Sequence, residues 1–254
     1  MEQLSQFQIQ NSEFARLEQN LRRVQQRIAD AAERAGRAPC DITLVAVSKT
    51  FPAEAILAAH ALGVRHFGEN RVEEALEKIP SVNRLITQSP PCPITWHLVG
   101  HLQSRKVNAA VELFDYIHSV DSVALARKIE KRAAATGTLK AIPILLEVNI
   151  AGEATKFGFV PEPREDFFAA VQAILTLPHL DIQGLMTVAP IAPQPDDARP
   201  HFRALRTLRD ELRVRFPERA WQHLSMGMTD DFQAAIAEGA TIIRIGRAIF
   251  GRRD

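Results

Sequence analysis

The chain has 254 residues, enough to bury a sizeable core as one α/β barrel or two small domains. Its 31 Lys and Arg residues against 30 Asp and Glu leave a formal charge of +1, which removes the electrostatic case for a nucleic-acid or membrane surface and leaves small-molecule chemistry as the better expectation. Cys40 and Cys92 have no metal-ligand spacing or disulfide framework, no apolar run reaches the roughly 20 residues of a membrane span, and MEQLSQFQIQ lacks signal-peptide features, so a cytoplasmic location is expected.

Residues 1–12 are expected to be a flexible N-terminus, and 13–254 one domain. From Phe14, the residues Leu17, Leu21, Val24, Ile28 and Ala31 recur at three- and four-residue steps, the apolar stripe of a long leading helix closed by Gly36. Short β-branched or apolar runs follow at Ile42–Lys49, Val64–Glu69, Thr95–Gly100, Tyr116–Val120, Ile142–Asn149, Ile182–Val188, Gln222–Met228 and Thr241–Gly246. Helical patterns separate them, among them AEAILAAHAL, NRVEEALEKI, DSVALARKIEKRAAA, REDFFAAVQAIL and TDDFQAAIAEG, the last with Thr229 as expected N-cap and Gly239 as stop. Phe202, Leu205, Leu208 and Leu212 alternate with arginines at helical spacing, which marks the outer face of a barrel helix rather than a nucleic-acid stripe. Eight such βα units fit a single (β/α)8 TIM-type barrel with an extra N-terminal helix. A doubly wound sheet is the competitor, but neither G-x-G-x-x-G nor a Walker A sequence is present.

In a barrel, residues at strand C-termini face the functional mouth. Lys49 ends the first predicted strand, Asn70 follows the second, His97 lies in the third, Met186 and Thr187 end the sixth, Ser225 to Met228 end the seventh and Arg244 to Arg247 the eighth. The last two loops, HLSMGMTDD and IRIGRAIFG, carry Ser or Gly where backbone must approach an anion, and Gly246 leads into a short apolar helix. A desolvated lysine is a nucleophile for carbonyls. Lysine and anion site together suggest a phosphorylated aldehyde as ligand.

The series AVSKT, FGENRVEEALEK, WHLVGHLQSRK, LLEVNIAGEATKFGF, GLMTV and LSMGMTDDFQAAIAEGATIIRIGRAIFG, spread from Ile42 to Gly251, resembles the pyridoxal phosphate homeostasis proteins. Those share a fold type III PLP-binding barrel similar to the N-terminal domain of alanine racemase. The resemblance implies a Schiff base between pyridoxal 5'-phosphate (PLP) and Lys49, with Asn70 lining the pocket. It implies phosphate held by Ser225, Gly227 and the backbone at Gly246 and Arg247, and Arg244 facing the pyridine nitrogen. Many relatives carry Thr or Ser in place of Arg247, so only the backbone role transfers there. It further implies a non-catalytic monomer that serves vitamin B6 and amino-acid or keto-acid homeostasis, with PLP-dependent apo-enzymes or a regulatory protein as partners. No catalytic or metal-binding residue is expected. Racemases of similar architecture complete their site with a second domain and a catalytic tyrosine, whereas the one tyrosine here, Tyr116, falls inside the fourth predicted strand.

Each reading has a rival. A lone lysine at a strand end is more often a solvated terminator, and Arg244 has the alternative of a structural ion-pair partner in the barrel core. His97 and His101 read as hydrogen-bonded barrel or loop residues, and Met226 and Met228 as packing or cofactor contacts. The enzymatic alternatives are a PLP-dependent racemase and a cofactor-free Schiff-base aldolase, the latter needing a carboxylate or second lysine near Lys49, for which Glu69 and Glu147 are the candidates.

Overall fold

The computed structural model describes residues 2–86, 93–137, 140–191 and 193–251, with side chains from Ser12 onward; Cys92 lies outside the described residues. Eight parallel strands close into a barrel in sequence order: β1 (Thr43–Val47), β2 (His66–Glu69), β3 (Thr95–Leu98), β4 (Tyr116–Val120), β5 (Ile142–Glu147), β6 (Leu180–Met186), β7 (His223–Ser225) and β8 (Ile242–Ile245). Closure is made by β1 against β8, where Val45 pairs with Arg244 and Ala46 with Ile245. All eight expected strands are present, most of them shorter at their C-terminal ends, where backbone leaves the ladder to build the loops of the mouth.

The helices are α1 (Glu2–Arg34), α2 (Ala53–Ala61), α3 (Val72–Ile86), α4 (Val107–Leu113), α5 (Val123–Ala135), α6 (Arg164–Leu175), α7 (Arg199–Arg215), α8 (Phe232–Ala237) and α9 (Arg247–Phe250). Helix α1 buries the expected stripe of Leu17, Leu21, Val24, Ile28 and Ala31. It starts at Glu2 rather than near Phe14, since its first three turns carry four Gln and hold no Gly or Pro to break them. Helix α3 runs through Pro80, beyond the segment that the pattern predicts. An internal proline costs about 3 kcal/mol, and burial of Ile79 and Val82 on either side, each about 1.5–3 kcal/mol, offsets it. Helix α8 begins at Phe232 with Asp231 rather than Thr229 at its cap; the Asp231 side chain makes no capping bond and instead accepts from the Met228 N–H at 2.6 Å, within the turn that precedes the helix. On α7, Phe202, Leu205, Leu208 and Leu212 are buried, and Arg199 and Arg203 reach the buried Glu238 at 2.9 and 3.0 Å. No helix among the described residues is long and apolar enough to cross a membrane.

Strand side chains alternate between two cores. Outward residues such as Ala46, Phe67, Leu98, Ile117, Leu146, Leu185, Ile243 and Ile245 pack against the helices. The interior holds a smaller apolar group, Val45, Tyr116, Leu145, Met186 and Ile242. The rest of that interior is polar, and the site is built from it.

Candidate functional site

Val45 faces inward, and register places Arg244 beside it. The guanidinium is 5% exposed; its Nη1 donates to Ser225 Oγ at 2.7 Å and its Nη2 to the Thr187 carbonyl at 2.9 Å. Burial lowers its pKa to about 10, opposed by Asp231 and Glu147, so it remains charged at neutral pH. Among the described residues no carboxylate lies within ion-pair distance of it, so the core ion pair weighed for Arg244 is not formed. A fixed cation therefore sits below the mouth with further N–H groups beyond the two already engaged.

Ser225 starts a second feature. Its buried hydroxyl contacts His118 Nδ1 at 3.0 Å, His118 Nε2 contacts His97 Nδ1 at 2.9 Å, and His97 Nε2 contacts His66 Nδ1 at 3.0 Å. Arg244 can only donate, so Ser225 Oγ accepts from it, and the Ser225 proton finds its partner at His118 Nδ1. Each neutral imidazole then donates to the next, and the chain runs from Ser225 to His66. Burial pushes all three histidines below their ordinary value, His97 to about 3, which keeps them neutral. Because the unfolded chain binds protons near pH 6.5 and the folded one does not, these groups contribute stability that is present above pH 6.5 and lost as pH falls below it. Proton NMR titration from pH 8 to 5 is expected to leave the His97 and His118 ring signals unshifted; a midpoint near 6.5 for either would contradict the buried neutral chain.

Above this layer lies the turn that carries Lys49. Ser48 N–H donates to the Gly68 carbonyl at 2.9 Å, extending the β1–β2 ladder, and Phe51 N–H donates to the Ser48 carbonyl at 3.0 Å, closing a turn with Lys49 and Thr50 at its centre. Lys49 is half-buried. Lys49 and Asn70 stand two residues past the paired Val47 and Gly68, at matching positions of adjacent strands. Asn70 backbone packs directly on Gly100, where an added Cβ would lie 2.3 Å from the Asn70 carbonyl oxygen. Gly246, before α9, abuts the Val47 carbonyl, so the end of β8 meets the end of β1 beside the lysine turn. Gly227 has φ 92° and packs against Phe232 and Ala235, and its carbonyl accepts from Arg244 N–H at 3.0 Å. Arg247 turns its side chain outward to Asp230 at 2.6 Å, leaving its backbone at the helix start.

Direct bonds thus join Ser225, Gly227 and Arg244, while strand register places Lys49, Asn70 and Gly246 around the same mouth. Met226 is fully buried and Met228 is exposed. Glu147, at the end of β5, has one oxygen without a hydrogen-bond partner among the described residues, and its pKa is raised to about 7, by burial first and Asp121 second. His101 pairs with Asp121 at 3.3 Å and stacks on Phe157. Glu69, the other candidate carboxylate, is fully buried, accepting from Ser48 Oγ and Lys78 Nζ, both at 2.8 Å. Sequence reasoning missed Lys78 and the histidine chain. The histidines had a usable signal, since His66, His97 and His118 all fall at inward positions of predicted strands; Lys78 had none, looking like any solvated helix charge. An amine at the rim, a buried cation and glycine-backed loops suit a ligand that carries both an electrophilic carbonyl and an anionic group.

The family model for "Alanine racemase, N-terminal domain" matches residues 14–254. A pyridoxal phosphate homeostasis protein of Aquifex aeolicus is 43% identical over 235 residues, covering 92% of this chain and 97% of the relative. The structure of PipY from Synechococcus elongatus with PLP bound is similar with a TM-score of 0.75 and 40% identity, over 88% of this chain and all of that one. An alanine racemase of Clostridium difficile, 16% identical, shares the fold with a TM-score of 0.67 over 94% of this chain and 56% of its own. The chain belongs to the pyridoxal phosphate homeostasis protein family, within the wider alanine racemase N-terminal domain family.

Proposed function

We propose that this family member binds PLP, holds it as a Schiff base on Lys49, and stores, buffers or delivers it without turning over a substrate. The relatives' names and the PLP-bound neighbour support the choice of ligand. The residues present fit it: Lys49 for the aldehyde, Asn70 beside the ring, Gly227 and the backbone at Gly246 and Arg247 for the phosphate, and Arg244 for the ring nitrogen. Ser225 fits as the phosphate cup's inner wall, its hydroxyl already engaged by Arg244 and His118. When bound, PLP supplies an aldehyde open to amines and a ring that withdraws electrons best when its nitrogen is protonated.

Arg244 is the observation that carries the non-catalytic reading. A permanently charged guanidinium donates hydrogen bonds and cannot accept one, so it disfavours a protonated ring nitrogen. Tyr116 supplies no proton at the mouth: its hydroxyl donates to Gln183 at 2.7 Å inside the barrel, and burial pushes its pKa up. The role that follows is control of free PLP, and through it of vitamin B6 and amino-acid or keto-acid balance, with apo-enzymes as recipients.

Racemisation is the second reading, favoured by Glu147, whose unpartnered oxygen and pKa of about 7 suit proton transfer. For an aldolase, Glu69 offers no free base, being engaged by Lys78 and Ser48. Purified protein mixed with PLP is expected to gain visible absorbance, to carry a borohydride-reduced pyridoxyl group on the Lys49 peptide, and to show negligible turnover with a panel of free amino acids. Absence of the adduct overturns the binding reading; robust racemisation that is lost in Lys49→Ala overturns the non-catalytic one. Delivery fails if transfer to an apo-enzyme never exceeds release into solvent.

A further inference from the structure

We propose that helix α3 positions Lys49, through two side chains that grip the residues on either side of it. On one side, Lys78 Nζ donates to the Ser48 carbonyl at 3.0 Å and to Glu69 Oε1 at 2.8 Å, and Ser48 Oγ donates to that same carboxylate oxygen at 2.8 Å. On the other, Glu74 Oε2 accepts from the Thr50 N–H at 3.0 Å. Lys78 and Glu74 are four residues apart, so one face of one helix holds both flanks of the turn.

The turn needs holding because of Thr50. It occupies the third position of the turn closed by Phe51 N–H and the Ser48 carbonyl, and its φ is 65°. Turns with positive φ at that position favour glycine or asparagine, and a β-branched residue there is strained and persists only where its surroundings impose the conformation. The Thr50 N–H, pointing out of the ladder, is the group that Glu74 satisfies. Glu69 is fully buried, so Lys78 is held in turn by a carboxylate that the barrel fixes. The direction and height at which Lys49 leaves the first strand are thereby set by a neighbouring helix, and α3 supplies positioning residues for the anchor. The inference deepens the proposed function and rests on Lys49 being the point of attachment.

The test pairs a cofactor-free measurement with a cofactor-dependent one. In Glu74→Ala, amide exchange at Thr50 in cofactor-free protein is expected to accelerate about tenfold, as for loss of one hydrogen bond, while the amides of the strands remain protected. Capture of PLP on Lys49, followed by borohydride trapping and peptide mapping, is expected to slow about fivefold or more by the same loss. Adding Thr50→Gly, which adopts positive φ without strain, is expected to restore capture in the Glu74→Ala background, a rescue that a purely structural role for Glu74 would not give. Lys78→Met is expected to act in the same direction; because it leaves Glu69 buried without its cation, it counts only where circular dichroism shows a folded barrel, and Glu74→Ala decides otherwise. Unchanged Thr50 exchange and unchanged capture in folded Glu74→Ala overturn the inference. If wild-type protein captures no PLP, the functional reading falls, and the exchange measurement alone decides the turn.

Discussion

Lys49→Ala protein, mixed with PLP and reduced with borohydride, is expected to carry no pyridoxyl group on the Ser48–Pro52 segment. Its apparent affinity for PLP is expected to fall about a hundredfold, near 2.7 kcal/mol. Binding does not vanish, because Arg244 and the backbone of the last two loops are untouched and still offer donors to a ring nitrogen and a phosphate. Stability is expected to shift by less than about 1 kcal/mol, since Lys49 is half-buried at the rim and the bonds that close its turn are backbone bonds. Mass spectrometry of the reduced protein, with equilibrium dialysis and thermal melting, checks these three outcomes together. A pyridoxyl group retained in comparable yield on another lysine would remove Lys49 from its proposed role.

Gly184→Ala is expected to be the most damaging single methyl group in the barrel. A Cβ at Gly184 would stand 1.9 Å from the His223 carbonyl oxygen, 2.7 Å from its carbonyl carbon and 2.9 Å from its nitrogen. Gly184 and His223 are register partners in β6 and β7. The obstacle is ladder backbone, so relief requires that the strands part where Met186 and Ser225 pair just above. The cost is expected to reach about 3 kcal/mol or more, at or beyond the upper end for overpacking. Urea unfolding measures it, and because Ser225 holds Arg244, PLP affinity is expected to fall in the folded fraction as well. A variant as stable as wild type would show that β6 and β7 slide past each other without cost.

Much of this molecule can be read directly from residue order. Strand and helix periods alternate cleanly enough to give eight βα units, and Lys49, Asn70, Ser225, Gly227, Arg244 and Gly246 stand at strand ends or in the loops that follow them, so topology alone carries them to one mouth. Element limits were less legible: Pro80 argues locally for a helix end, and only the packing of Ile79 and Val82 against the barrel keeps α3 going. Thr229 likewise reads locally as a cap, whereas the chain turns at Met228–Asp231 first, with the Asp231 and Phe232 N–H groups both donating to the Met228 carbonyl, and the helix starts after it.

The chemistry of the site divides in the same manner. Residue types and their order along the chain determine the barrel, the lysine at the end of its first strand and the arginine in its last, because periods of 2 and 3.6 and the β-to-α connectivity are local properties. Closure of the barrel decides what those residues become. It brings Ser225 between Arg244 and His118, strings three histidines from separate strands into one hydrogen-bonded chain, and places Lys78 and Glu74 against a turn whose threonine would not hold its conformation alone. Hydrogen bonds of this kind depend on distances between segments remote in sequence, and no pattern within one segment encodes them.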